Sequence, residues 1–512
     1  MSILIDRWLA RAADEHAAIL GAGTASSYAE VVARSRHVAA ALLGARATLD
    51  GERVAILVGP SAAFVEAFFG VLLAGGCVVV LSPLHPAPET RYFCDDAEVR
   101  TVLVSEELAP LAAPLTTDFD VRALAPILAA TPLLRDPVVR SEGSPALQLY
   151  TSGTTGRPKG AVITHANLAV QQELVGAAWG FREGDVLLHA LPLHHMHGLA
   201  IALLTALGAG ATTRLTTFDA PAIWDALPGA TVFMGVPAMY HRLLGAEAAA
   251  DQATRARWAA GAKQLRLATS GSAALPVTIA ERWRVITGRV PLERFGMTEI
   301  GVGITNVLDG PRFPGCVGFP LPTVEARIVG DDGRDAALGE LWIRGPSVFA
   351  GYHRRVAETE AAFVADPDGG RSWFRTGDTV TREASPSGPF KILGRTSVDI
   401  LKSGGYKLSA LEIEEALREH PGVGEVAVIG LPDEAWGDRV VACVVRKDAA
   451  AGPDAAALRA FAKERLAAYK VPKDVLFLDE LPKNALGKVV KPTLLAQVAA
   501  RVKGAAEPRG GA

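Results

Sequence analysis

Short β-branched runs alternate with Ala- and Leu-rich stretches along the first 290 or so residues of this chain. RVAILVG (53–59), CVVVLS (77–82), TVLVS (101–105), DVLLHALPL (185–193) and TVFMGVP (231–237) are the clearest of these runs. Parallel strands need a crossover connection, which is usually a helix, so the alternation predicts α/β architecture with doubly wound parallel sheets. VEARIV (324–329), ELWIRG (340–345) and FKILG (390–394) then predict a small β-rich subdomain. Beyond Gly394 the chain reads as a separate small α/β unit. It has a helix ALEIEEALREH (410–420), strands VGEVAVIGL (423–431) and RVVACVVR (439–446), and a helix DAAALRAFAKERLAAY (454–469). The expected division is a large N-terminal domain, 1–394, and a small C-terminal domain, 395–512. The tail KGAAEPRGGA (503–512) is expected to be disordered.

A chain of 512 residues exceeds the span of one ordinary domain. With 49% hydrophobic and 21% charged residues it has the composition of a folded globular protein. A net charge of −3 and the absence of a long basic run argue against nucleic-acid or anionic-membrane partners. The four cysteines, Cys77, Cys94, Cys316 and Cys443, form no C-x-x-C pair, which fits a reducing cytoplasm. The N-terminal MSILIDRWLARAADEHAAIL carries acidic residues and reads as an amphipathic helix rather than a signal peptide. The apolar stretch 65–83 is broken by Gly70, Gly75 and Gly76, so a helix followed by a strand is expected there, not a membrane span.

The segment LYTSGTTGRPKGAVITH (149–165) joins one apolar run to another through a small, hydroxylated, glycine-rich middle. Glycines let backbone N–H groups turn toward an anion, and hydroxyls donate to phosphate oxygens. The order differs from the G-x-x-x-x-G-K-[ST] phosphate loop. Taken alone, such a segment is usually a surface connection.

Five more segments follow in order: SGSAALP (270–276), RFGMTE (294–299), FRTGD (374–378), GRTSVDILKSGGYKLSALEIE (394–414) and NALGK (484–488). Together with the glycine-rich loop they resemble the signature motifs of the adenylate-forming superfamily, which includes acyl-CoA synthetases, luciferases and peptide-synthetase adenylation domains. LPLHHMHGL (191–199), GVPAMYHRL (235–243) and LERFGMTEIG (292–301) look most like the malonyl-CoA synthetases. The resemblance implies an ATP-dependent ligase that makes an acyl-adenylate, then a coenzyme A thioester, with a mobile C-terminal domain and Mg2+ as cofactor.

It also implies roles for particular residues. Thr151, Ser152, Gly153, Thr154, Thr155, Gly156 and Lys159 would cradle the phosphates of ATP. Glu299 would hold magnesium, with Thr154 beside it, and Thr298 would sit by the α-phosphate. A carboxylate suits a hard cation that bridges phosphates. Phe295 would face adenine, with Gly296 and Met297 next to it and Gly271, Ser272 and Ala273 on the other side. Asp378 would accept from the ribose hydroxyls, as a pure acceptor can. Arg395 would be a second nucleotide contact. Lys488 would stabilise charge that develops in adenylation. Lys402, Ser403, Gly404 and Gly405 would lie along the pantetheine arm of coenzyme A. GRTSVDILKSGG has one more residue between Gly-Arg and Gly-Gly-Tyr than luciferase-like members, so the hinge lies somewhere within 395–399.

For the acid itself, His195 would sit near the adenylate, and His197, Ser272 and Arg242 would take a distal carboxylate. A guanidinium can grip a carboxylate through two parallel hydrogen bonds. Arg284 is a weaker competitor. His194, His195 and His197 show no further ligands at zinc spacing. The reading is a malonate ligase that also accommodates methylmalonate. The alternatives are a short-chain or aromatic monocarboxylate ligase, an enzyme that loads a carrier protein, and a non-catalytic nucleotide-binding protein. Acetylation of Lys488 would remove its charge and its role. The sequence leaves the oligomeric state open.

Overall fold

The computed structural model describes residues 2–506 except 22, 132–135, 152–156, 367–368, 385, 405, 434–435, 449–451, 484–486 and 488. Ser152, Gly153, Thr154, Thr155, Gly156, Gly405 and Lys488 therefore lie outside the described residues.

A seven-stranded sheet carries the first half of the alternating pattern. Its strands Asp120–Ala123, Thr101–Val104, Arg53–Leu57, Cys77–Val80 and Pro145–Thr151 run parallel. Lys159–Thr164 then pairs antiparallel with Pro145–Thr151, so the two apolar runs flanking the glycine-rich segment are sheet neighbours. The apolar stretch 65–83 resolves into the helix Ala62–Leu73 and the strand Cys77–Val80, as its glycines predict. Among the described residues no helix is long and apolar enough to cross a membrane.

A nine-stranded sheet carries the second half. Thr212–Leu215, Val186–His189, Val232–Gly235, Leu267–Ser270 and Leu292–Met297 are consecutive parallel neighbours. Its far edge corrects the reading of the N-terminus. The helix there is short, Ile3–Leu9, and Ala17–Gly21 is a strand that pairs parallel with Thr212–Leu215. The chain breaks between them where Asp14 accepts from Arg11 and from the His16 backbone. The short apolar run AAIL suits either element, and the open sheet edge decides it.

The β-rich subdomain is an antiparallel sheet that includes Leu338–Arg344, Trp373–Arg382 and Phe390–Arg395. The C-terminal unit is a sheet in which Val423–Asp433 and Gly437–Arg446 pair along their length, covered by Ala410–Arg418, Ala455–Lys463 and Lys491–Ala506. Two expectations shift here. The helix that starts at Ala455 stops at Lys463, where Glu464 caps it. The last helix runs to Ala506, so the first part of the supposed tail, 503–506, has helical backbone. Each apolar cluster among the described residues lies wholly before residue 393 or wholly after residue 400. The two sides meet through polar contacts: Glu415 accepts from the Thr278 backbone and hydroxyl at 3.2 and 3.3 Å, and Lys407 pairs with Asp331 at 2.6 Å.

Candidate active site

In open parallel sheets ligands bind beyond the carboxyl ends of the strands. The neighbouring strands of the nine-stranded sheet end at His189, Gly235, Ser270 and Met297. The segments leaving those ends carry His195, His197, Arg242, Gly271, Ser272, Ala273, Thr298 and Glu299.

His197, Ser272 and Arg294 converge there. His197 is buried and opens a π-helical segment, His197–Leu204. Its Nδ1 is 3.3 Å from the Ser272 hydroxyl. Ser272 holds φ 68°, a left-handed conformation uncommon for a residue with a side chain. Arg294, on the strand Leu292–Met297, is only 5% exposed, and its Nε and one terminal nitrogen have no hydrogen-bond partner in the protein. Burial pushes its pKa down to about 10. Gly271 makes room for it: a Cβ there would lie 2.3 Å from Arg294 Nε. Burial, then the charge of Arg294, holds the His197 imidazole well below its ordinary pKa, so it is neutral.

The sequence reading missed Arg294. RFGMTE begins with it, but nothing in the motif's composition says that this guanidinium is buried. Arg242, the arginine expected to bind the acid, is exposed on the helix Pro237–Ala249, with its guanidinium 4.8 Å above the Phe218 ring. Arg284 is in a surface ion pair with Glu281. His195 is half-buried and packs against His194 at 4.3 Å, and His194 packs against His85 at 5.8 Å. Burial lowers the pKa of His195 to about 4 and that of His194 to about 3.

The phosphate-side residues cluster around a tyrosine that the motifs did not mark. Thr151 ends one arm of the hairpin and Lys159 begins the other, directly opposite it. Lys159 Nζ lies 5.0 Å from the Tyr352 ring, and the Tyr352 hydroxyl donates to Glu299 Oε1 at 2.9 Å. The Glu299 backbone carbonyl accepts from Phe349 N at 2.8 Å, which fixes the turn. Burial raises the Glu299 pKa, and the tyrosine bond offsets part of that. One buried carboxylate near Lys159 fits Mg2+, which is commonly held by one or two carboxylates plus substrate phosphates. Thr298 is half-buried beside it.

Phe295 is buried in the large apolar cluster, with the half-buried Gly296 and Met297 after it. Gly296 must be glycine, since a Cβ would meet the Gly301 carbonyl oxygen at 2.0 Å. Gly271 is buried, while Ser272 and Ala273 are exposed. In the subdomain sheet Asp378 pairs in register with Arg395, whose Nε lies 3.3 Å from Asp378 Oδ1. Arg395 also donates to the Thr376 carbonyl at 2.6 Å.

On the C-terminal side Lys402 and Gly404 are exposed and Ser403 is buried. Gly404 N donates to the Trp436 carbonyl at 2.8 Å, and the Trp436 ring covers the place of its missing Cβ. Lys473 Nζ lies 3.9 Å above that ring. Gly487, just before Lys488, comes near Ala238 at the start of the helix Pro237–Ala249, 3.5 Å from the position its own Cβ would take.

The family pattern described as AMP-binding enzyme matches residues 5–353, and its C-terminal domain pattern matches residues 412–488. The mitochondrial malonate–CoA ligase of Bos taurus is 38% identical, over 94% of this chain and 88% of its own. The malonate–CoA ligase of Arabidopsis thaliana is 37% identical, over 87% of this chain and 78% of its own. The crystal structure of ATP-bound MatB from Rhodopseudomonas palustris superposes with a TM-score of 0.88 at 35% identity, covering 98% of this chain and all of that one.

Proposed function

Since this chain belongs to the AMP-binding enzyme family, we propose that it is an ATP-dependent malonate–CoA ligase, which also accepts methylmalonate. The observation that carries the substrate is the buried Arg294 beside His197 and Ser272. A buried guanidinium without partners is costly, and a second carboxylate on the substrate supplies the missing ones. A monocarboxylate would leave it unpaired. The relatives named for malonate support the same choice. Arg242 is the second cation of this reading, exposed over the Phe218 ring and free to leave that face for an incoming acid.

In the first half-reaction the reacting carboxylate attacks the α-phosphate of ATP. Lys159 and the loop 151–156 hold the outgoing pyrophosphate. Glu299, with Thr154 beside it, would hold Mg2+, which would neutralise phosphate charge, and Thr298 would sit by the α-phosphate. Asp378 and Arg395 orient the ribose, and Phe295 to Met297 together with Gly271 to Ala273 flank the adenine. Lys488 stabilises the charge that builds on the α-phosphate. His195, neutral at physiological pH, lies against the adenylate without adding a charge. In the second half-reaction the coenzyme A thiol displaces AMP. Lys402, Ser403, Gly404 and Gly405 line the pantetheine arm, and the turn 395–399 contains the hinge between domains 1–394 and 395–512. Four buried free cysteines suit a reducing cytoplasm.

The test is coenzyme-A-dependent AMP formation from malonate, methylmalonate, succinate, acetate, propionate, octanoate and benzoate. The proposal requires malonate to give the highest kcat/KM. A preference for any monocarboxylate would leave the ligase chemistry standing and overturn the substrate.

A further inference from the structure

Lys491 is the first residue of the last helix, three positions after Lys488. Its ammonium lies 2.5 Å from Asp399 Oδ1 and 2.7 Å from Glu414 Oε1. The three side chains are only 11%, 13% and 8% exposed. Burial works against the ammonium, yet Glu414 and Asp399 together raise its pKa above the ordinary lysine value. A buried ion pair is weak evidence for stability, because apolar residues of similar volume often serve as well. What this cluster joins is more informative.

Each carboxylate is tied to a different segment. Glu414, on the helix Ala410–Arg418, also accepts from Val428 N at 2.8 Å, which anchors it to the C-terminal sheet. Asp399 uses its other oxygen, Oδ2, to accept from the backbone N–H of Arg395 at 3.0 Å. Its own N–H returns to the Arg395 carbonyl at 2.8 Å. The turn closes so tightly that Gly394, at φ 131°, has the Asp399 Cβ 2.3 Å from where its own would stand. Arg395 then reaches Asp378 and the Thr376 carbonyl. A continuous path of polar contacts thus runs from Glu414 through Lys491 and Asp399 to the Arg395 backbone, and from the Arg395 guanidinium to Asp378.

The geometry points to Lys491 as a positioning residue for the nucleotide site: it holds Asp399 so that the 395–399 turn presents Arg395 to Asp378. Lys491 touches no substrate in this role. The inference rests on the reading of Asp378 and Arg395 as ribose-side contacts. It also makes the first residue of the last helix a determinant of ATP affinity, although that residue lies outside the matched C-terminal domain pattern.

The experiment is steady-state kinetics with ATP varied at saturating malonate and coenzyme A, on the full-length enzyme. Lys491→Met removes the charge and keeps the length, and Lys491→Arg keeps the charge. Asp399→Asn weakens the same path while leaving the Lys491–Glu414 pair. The expected result is a KM for ATP raised roughly tenfold in Lys491→Met, about what one charge-assisted hydrogen bond contributes. The KM for malonate should stay unchanged, Lys491→Arg should recover most of the effect, and Asp399→Asn should reproduce it. A Lys491→Met enzyme that melts earlier but keeps the wild-type KM for ATP overturns the inference, leaving Lys491 a brace of the fold. If Lys491→Met does not fold, Asp399→Asn decides by the same criterion. Asp378→Asn is run alongside: an unchanged KM for ATP there shows that the ribose assignment has failed, separately from Lys491.

Discussion

Tyr352 donates its hydroxyl hydrogen to Glu299 Oε1 at 2.9 Å, while Lys159 lies over the face of the same ring. One side chain therefore links the lysine proposed for the phosphates to the carboxylate proposed for Mg2+. The bond occupies one Glu299 oxygen and favours the ionised form that burial disfavours. Tyr352→Phe keeps the ring and loses the bond. We expect the Mg2+ concentration for half-maximal activity to rise severalfold, with a stability loss of about 1 kcal/mol or less. A magnesium titration at fixed ATP, beside a denaturant melt, measures both. An unchanged magnesium dependence would show that Glu299 needs no such support.

Arg294 gives a prediction in which stability and activity move in opposite directions. Arg294→Met keeps the volume and removes a buried, unpartnered charge, so the unliganded protein should be as stable as wild type or more so. Its kcat/KM for malonate should fall by roughly tenfold to a hundredfold, the range for charge-assisted hydrogen bonds. Gly271→Ala should mimic part of this, because the new Cβ takes the place of the Arg294 Nε. Arg242→Ala, at an exposed position, should raise the KM for malonate and leave stability unaltered. Equal malonate kinetics in the Arg294 and wild-type enzymes would move the distal carboxylate elsewhere.

Lys488→Gln, which imitates acetylation by removing the charge, should separate the half-reactions. Malonate-dependent pyrophosphate–ATP exchange should drop by at least roughly a hundredfold, the scale of losing one transition-state contact. Thioester formation from pre-made malonyl-adenylate should persist. Loss of both in a folded protein would mean that the lysine does more than stabilise adenylation.

Stability should fall on both sides of about pH 6.5, for opposite reasons. Burial lowers His165, His189 and His195 to about 4 in the folded state. Unfolded histidines titrate near 6.5, so the unfolded chain binds more protons between pH 6.5 and 4, and stability is lost as pH falls through that window. Burial raises Glu66 to about 7 and Glu293 to about 8. Those groups keep protons in the fold that the unfolded chain has released, so their contribution is lost as pH rises from about 4.5 through 7 and 8. Chemical denaturation from pH 4 to 9 should trace this dome, and Glu293→Gln should flatten its descent up to about pH 8, whereas Glu66→Gln should act only between about 4.5 and 7. A monotonic profile would contradict the burial of these groups.

The alternating runs made the two parallel sheets legible, because short continuous β-branched runs separated by Ala- and Leu-rich stretches are what strands buried on both faces require. The helix–strand resolution of 65–83 followed from its glycines alone. The N-terminal segment was misread, since AAIL has no period long enough to choose between helix and strand. Its place beside Thr212–Leu215, nearly two hundred residues away, decides it. The reading of phosphate chemistry at 149–165 rests on glycines and hydroxyls in one short segment, which are local properties. Residues 152–156 of that segment lie outside the described set.

What the sequence determined by itself was the class of architecture, the order of the motifs and the inventory of groups able to meet a nucleotide. Those are consequences of local periodicity and residue chemistry. The tertiary structure alone decided which cations are solvated and which are buried. Arg242 and Arg294 are the same residue type, each in a motif segment, but one lies over Phe218 at the surface and the other beneath Gly271 without a partner. The same holds for Lys491, one of 52 Lys and Arg residues, whose two carboxylate partners stand 92 and 77 positions away (491 − 399 and 491 − 414). The cost of burying a charge depends on what the fold brings within a few ångströms of it, and spacing along the chain carries no record of that distance.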